Sequence, residues 1–181
     1  NMKTILILIA IVTQTISTNY VIDFGKSKQG NKWLVVNDGV MGGLSNSTAN
    51  ISSNYMNFEG TISLQNNGGF SSVRSFKSNI NLSDFTIMKV RYRSRGQKVS
   101  VRLLKNDAYY LPYFKTALET TSWVWKTTLI PLKNFKEYQL NRQTEKNLNS
   151  SDFNDIIRIG LIVSNKKQGN FEIDIDYIEF Y

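Results

Sequence analysis

Apolar and polar residues alternate with a period of two in short runs along most of the chain, and Gly, Asn and Ser separate the runs. Met88, Val90 and Tyr92 interleave with Lys89, Arg91 and Arg93; Val99, Val101 and Leu103 interleave with Lys98, Ser100 and Arg102; Phe171, Ile173 and Ile175 interleave with Glu172, Asp174 and Asp176. Period-two alternation places one face of a strand in a core and the other in water, which parallel sheets covered by helices do not require. The pattern predicts strands over 20–24, 33–36, 55–65, 69–76, 85–94, 97–104, 121–131, 156–164 and 170–181. It therefore predicts an all-β sandwich forming a single domain over residues 19–181. Two stretches break the alternation: 105–119, rich in aromatics, and 133–152, which is polar, carries a short helical pattern and is expected to cross between sheets. Long connections in a compact domain are more often functional than short ones.

The charged halves of two of these runs are complementary. Arg91, Arg93 and Arg95 form a basic stripe, and Glu172, Asp174 and Asp176 an acidic one. Opposed cross-strand charges are favourable, so the two runs are expected to be neighbours in one sheet with their charges facing each other. The 181-residue chain has 22 Lys+Arg against 14 Asp+Glu, a formal net charge of +8. An internal pairing makes part of that excess structural. The remaining Lys and Arg are dispersed among acids, not clustered with stacking aromatics, and no nucleic-acid partner is expected.

Histidine and cysteine are both absent. Their absence removes disulfides, thiolate nucleophiles, Zn–Cys sites and any triad built on imidazole. The acids form no signature pair for glycoside hydrolysis and no calcium-binding loop, so neither a catalytic role nor a metal or other cofactor is expected. Residues 1–18 carry Lys3, an apolar run from Ile5 to Val12 and a small polar exit, the pattern of a cleaved secretory signal peptide. The expectation is an exported protein, periplasmic or extracellular, monomeric and without a stable membrane span. Asn46, Asn50, Asn81 and Asn149 each begin an Asn-x-Ser/Thr triplet, which serves as a glycan acceptor in a eukaryotic secretory pathway.

The densest unusual segment runs from Trp33 to Ser45, WLVVNDGVMGGLS. An aliphatic strand enters an Asn-Asp-Gly turn, and Gly42-Gly43 follow Met41. No Lys-Ser/Thr and no helical pattern follow the glycines, which argues against a P-loop and a dinucleotide fingerprint alike. Three further segments follow in order: Gly68-Gly69-Phe70 leading to Arg74, then WVWKTTLIPLKNF from Trp123 to Phe135, then a terminal strand reading GNFEIDIDYIEFY. In this order they resemble the complex I intermediate-associated protein 30 family over about residues 23–181. The resemblance implies a jelly-roll β-sandwich of the galactose-binding-like type, similar to several carbohydrate-binding modules. It also implies a non-catalytic binding or assembly-factor role, as in the eukaryotic members that assist assembly of respiratory complex I. With a secretory leader, the partner expected here is an exported protein or a glycan, the alternative function being that of a lectin-like carbohydrate-binding module.

Candidate binding residues follow from these segments. Asp38, Met41, Gly42 and Gly43 belong to the Gly-rich loop; Asp38 either makes an Asx-type turn bond or faces a ligand. Arg74 shares a strand face with Phe70, and either ties down that loop through Asp38 or meets a ligand carboxylate or sugar hydroxyl. Trp123 and Trp125 share one face of the run 121–131, as a core wall or as a stacking platform. Tyr109, Tyr110, Tyr113 and Phe114 fall in the irregular stretch and are expected to form an exposed aromatic rim.

Overall fold

The computed structural model describes residues 19–26, 33–52 and 54–181; the leader-like segment 1–18 lies outside them. Among the described residues the strands are β1 (Tyr20–Asp23), β2 (Leu34–Asn37), β3 (Asn46–Ile51), β4 (Met56–Ile62), β5 (Ser71–Arg74), β6 (Ile87–Gly96) and β7 (Ser100–Leu104). They continue with β8 (Tyr113–Ala117), β9 (Lys126–Pro131), β10 (Lys136–Gln139), β11 (Arg142–Gln143), β12 (Arg158–Val163) and β13 (Gly169–Phe180). They form a six-stranded sheet in the order β3-β4-β13-β6-β9, with β1 also paired to β13, and a seven-stranded sheet in the order β11-β10-β8-β7-β12-β5-β2. All of these pairings are antiparallel. The protein is an all-β sandwich of two antiparallel sheets, as the alternation predicts. No helix among the described residues is long and apolar enough to cross a membrane.

The apolar halves of the alternating runs make the core between the sheets. Met88, Val90 and Tyr92 of β6, Phe58 of β4, and Phe171, Ile173 and Ile175 of β13 pack toward Val73 of β5, Val101 and Leu103 of β7, Phe114 of β8, and Ile159 and Leu161 of β12. Each of these side chains is nearly or wholly buried. Transfer of that apolar surface out of water is the dominant favourable term in a chain with no disulfide.

Four departures from the sequence expectation have physical causes. Strand β3 lacks an apolar alternation because it is a sheet edge, held by its backbone ladder to β4. The irregular stretch 105–119 contains β8, which begins directly after Pro112 and buries Phe114. The run 121–131 becomes a strand only at Lys126, since Ser122 (φ 51°) and Trp123 (φ 66°) adopt the left-handed conformation of a turn. The stretch 133–152 enters the second sheet through β10, forms the β10–β11 hairpin and ends in a short 3-10 turn at Ser150–Phe153, capped by Asn149.

Candidate functional site

The Gly-rich loop is organised by Asp38, which is completely buried. Its carboxylate accepts hydrogen bonds from the Ser45 amide (2.9 Å) and hydroxyl (2.5 Å) and from the amides of Gly69 (2.6 Å) and Phe70 (3.1 Å). Burial alone would raise the Asp38 pKa, but these four bonds outweigh it and hold the carboxyl below its usual range. The neighbouring glycines are explained by the same group. A Cβ on Gly43 would collide with the carboxylate, one on Gly68 would lie 2.8 Å from its Oδ2, and Gly42 sits at φ 87°. Asn37 extends the knot: its Oδ1 accepts from the hydroxyls of Ser47 and Ser71, both at 2.7 Å, joining β2, β3 and β5. Asp38 thus joins the loop to the start of β5 through backbone amides, and Arg74 takes no part in the contact.

What the knot presents outward is apolar. Val40 and Met41 are 76% and 59% exposed, and with Tyr109 and Leu140 they rim a pocket of about 530 Å³ on the outer face of the seven-stranded sheet. Phe70, Ser72 and Arg74 from one side and Ile162 and Arg102 from the other line its floor. The register explains the floor: Arg74 and Arg102 both pair with Gly160, one on each side of it, so the three share one row and one face. A Cβ on Gly160 would lie 3.1 Å from that of Arg74, and its absence opens the row between the two arginines.

Arg74 and Arg102 are unusual in having buried Nε atoms without a hydrogen-bond partner, and among the described residues neither makes an ion pair. Burial, reinforced by Arg158 and opposed by Asp107, lowers the pKa of Arg74; burial, opposed by Tyr113 and reinforced by Arg74, lowers that of Arg102. The guanidinium of Arg102 lies 4.0 Å from the centroid of the Tyr113 ring. Asp107, the acid that lines the pocket, is already engaged by Arg158 at 2.6 Å and 3.3 Å, and those bonds keep its carboxyl below the usual range.

The remaining expected residues divide between two places. Tyr109 and Tyr110 are exposed in the loop beside the pocket and pack edge to face at 5.6 Å. Tyr113 is not part of an exposed rim. It is buried at the outer face of β8, stacks on Tyr138 and donates its hydroxyl to Asn141 at 2.9 Å. Trp123 and Trp125 lie on the other sheet, away from the pocket.

There the two charged stripes do face each other on β6 and β13. Arg91 pairs with Asp176 (3.1 Å), Arg93 with Asp174 (2.8 Å) and Arg95 with Glu172 (2.5 Å). Asp174 is not an exposed member of the alternation: it is 1% exposed, and Asn57 of β4 donates a further bond to it at 2.9 Å. Trp123 covers the guanidinium groups of Arg93 and Arg95 at 4.6 Å and 4.5 Å, and Trp125 covers Arg93 and Arg91 at 5.0 Å and 5.3 Å. The indoles therefore shield an ion-pair ladder, which is neither core wall nor free platform. A second hollow of about 600 Å³ on this face is lined by Glu59, Arg95 and Glu172 among mostly small and polar residues, and Arg95 and Glu172 pair with each other.

Arg102 escaped sequence reasoning because it sits in the wet half of a regular alternation, where a ligand-facing arginine and a solvated one have the same pattern. The open partner at Gly160, which would have distinguished them, becomes visible only with the register.

Comparison with solved structures finds the same architecture. The family 11 carbohydrate-binding module from Clostridium thermocellum, solved with a β-1,3-1,4-mixed-linked tetrasaccharide, superposes with a TM-score of 0.64 at 16% identity, covering 90% of this chain and 94% of that one. The same family's module from the cellulosomal cellulase Lic26A-Cel5E of that organism gives 0.64 at 15% identity, with 90% and 94% coverage. A family 29 carbohydrate-binding module gives 0.52 at 12% identity, covering 90% of this chain and 85% of that one. At such identities the likeness is one of fold. Comparison with curated protein sequences finds no match. The Asp38 knot, the Gly-Gly-Phe entry to β5 and the long terminal strand are the parts that the sequence motifs specify, and a family model covers the first two and the terminal strand as far as Ile175. Matching it over residues 22–175, the chain belongs to the complex I intermediate-associated protein 30 family.

Proposed function

We propose that this protein is an exported, non-catalytic glycan-binding module whose site is the pocket on the outer face of the seven-stranded sheet. The observation that carries the reading is the pairing of two guanidinium groups without an ion pair on the floor, Arg74 and Arg102, each with an unpartnered Nε, with exposed apolar and aromatic side chains on the rim, Val40, Met41, Tyr109 and Leu140. Sugars present both surfaces in one molecule, with hydroxyl acceptors at the ring edge and C–H groups on the ring face. The family 11 module, of the same fold, was solved with an oligosaccharide, which supports this reading. Hydrolysis of a glycosidic bond calls for two carboxyl groups across the bond, and among the described residues lining the pocket Asp107 is the sole acid, already held by Arg158.

Affinity electrophoresis against soluble polysaccharides tests the proposal directly. Retardation of the wild-type chain is expected, and the double substitution Tyr109→Ala, Tyr110→Ala should reduce it at least about fivefold with an unchanged melting temperature, since both rings are exposed. No retardation on any polysaccharide, neutral or acidic, would refute the reading. A protein partner is the second reading, favoured by the exposure of Val40, Met41 and Leu44 at 76%, 59% and 56% and by the assembly role of eukaryotic relatives. It predicts that Val40→Asp abolishes capture of a protein from the native envelope or medium.

A further inference from the structure

The outer face of the seven-stranded sheet carries a row of positive charge, and the one acid among the described residues lining the pocket, Asp107, is shared with Arg158 and Lys77. Arg74, Gly160, Arg102, Lys115 and Lys136 are consecutive cross-strand partners from β5 through β12, β7 and β8 to β10. Adjacent strands lie about 4.8 Å apart, so the backbones of the two arginines stand about 10 Å apart across a residue with no side chain. Lys115 is satisfied by neutral partners only, the Ser164 hydroxyl at 3.3 Å and the face of Tyr138 at 4.1 Å. Burial, reinforced by Arg102, lowers its pKa. The neighbouring acid offsets the charge of Arg74 only in part and makes no ion pair with it, because Asp107 is bonded by Nε and Nη2 of Arg158 and approached by Lys77 at 4.0 Å.

Like charges held close together on a half-buried surface destabilise the free protein, and hydroxyl acceptors would satisfy their donors without cancelling their charge. The other sheet provides the contrast within the same molecule: there every arginine of the β6 stripe has its carboxylate. We propose that the pocket selects acidic glycans, with an anionic oxygen group of the sugar, a uronate carboxylate or a sulfate ester, seated between Arg74 and Arg102 over Gly160. This rests on the glycan-binding reading above and names its substrate class. Guanidinium forks suit either oxyanion through paired N–H donors, and the rim residues then contact the faces of flanking sugars.

The test compares ligands that differ only in charge, by isothermal titration with the full chain. Polygalacturonate and its carboxyl-reduced product form one pair; a sulfated galactan and its desulfated product form the other; mixed-linked β-glucan and polyglutamate are controls. Binding to at least one charged glycan is expected, weakened about tenfold or more in its neutralised counterpart and weakened again between 50 and 200 mM salt. Which pair responds identifies the anion. Arg74→Gln and Arg102→Gln should each reduce the charged affinity by about tenfold or more; the charge-retaining Arg74→Lys and Arg102→Lys should lose less. Equal affinity for charged and neutralised glycans would overturn the charge assignment and leave the glycan reading standing. Binding to polyglutamate as tight as to the acidic glycan would overturn selectivity for sugars. Absence of binding to every glycan, charged or neutral, would overturn both.

Discussion

Replacing Asp38 with asparagine changes one atom in a completely buried group and should be among the most damaging isosteric substitutions in the chain. Four donors converge on the carboxylate, one on Oδ1 and three on Oδ2. An asparagine must turn its NH2 toward one of these clusters. The cheaper choice faces the single Ser45 amide, leaving that buried N–H without an acceptor, at about 1–3 kcal/mol. The other three bonds lose their charge assistance, so the total comes to about 2–4 kcal/mol, a large part of the stability of a typical domain. Asp38→Ala abandons all four donors and leaves a void as well, and should cost about 4 kcal/mol or more. Urea unfolding followed by tryptophan fluorescence at pH 7 measures both. The pH dependence supplies an independent check. Because the folded pKa is depressed, the stability from this group is present above the ordinary carboxylate pKa of about 3.9 and is lost as pH falls through the folded value. The gap between wild type and Asp38→Asn should therefore narrow in acid. An asparagine variant within about 0.5 kcal/mol of wild type at pH 7, or a gap of constant width down to acid pH, would refute the four-donor account.

The Arg93–Asp174 pair, with Asp174 buried, makes a second prediction. Removing either partner alone should cost about 3 kcal/mol and both together much less than the sum, so additive losses in a double-mutant cycle would exclude the coupling. Trp125→Ala should loosen the same ladder, lowering stability and raising its salt sensitivity while leaving glycan binding in the pocket intact; a selective loss of binding would move the site to the other sheet. Gly160→Val places a Cβ 2.5 Å from the Val73 carbonyl oxygen between the two arginines, and should both destabilise the sheet and close the floor of the pocket. Thermal melting checks the first effect and titration with the bound glycan the second.

Strands with one wet and one dry face were legible in the sequence because burial enforces the alternation, and the facing of Arg91, Arg93 and Arg95 with the acids of β13 followed from charge alone. Strand β3 was not legible, since an edge satisfied by backbone bonds leaves little trace in side-chain pattern. Parity correctly placed Phe70 and Arg74 on one face, but the partner of Arg74 across the sheet is set by register, which depends on strands far apart in sequence. The tryptophans illustrate the opposite error. Their spacing reads as a strand face, whereas the left-handed turn at Ser122 and Trp123 is decided by how the chain must bend to cap the charged ladder.

The placement of β13 also governs the order in which this protein can assemble. Its twelve residues pair with β6 along one edge and with both β4 and β1 along the other, so that Tyr20 is matched with Phe180. A sheet whose middle strand follows all of its described partners along the chain cannot close until that strand has been made. Until that strand arrives, β4 and β6 each expose a backbone edge, and the apolar residues that will meet Phe171 through Phe180 have no cover. Closure of this sheet is therefore dominated by contacts between residues distant in sequence. Loss of residues 169–180 would remove the centre of the sheet, leaving a chain prone to associate with its own kind rather than a shortened sandwich.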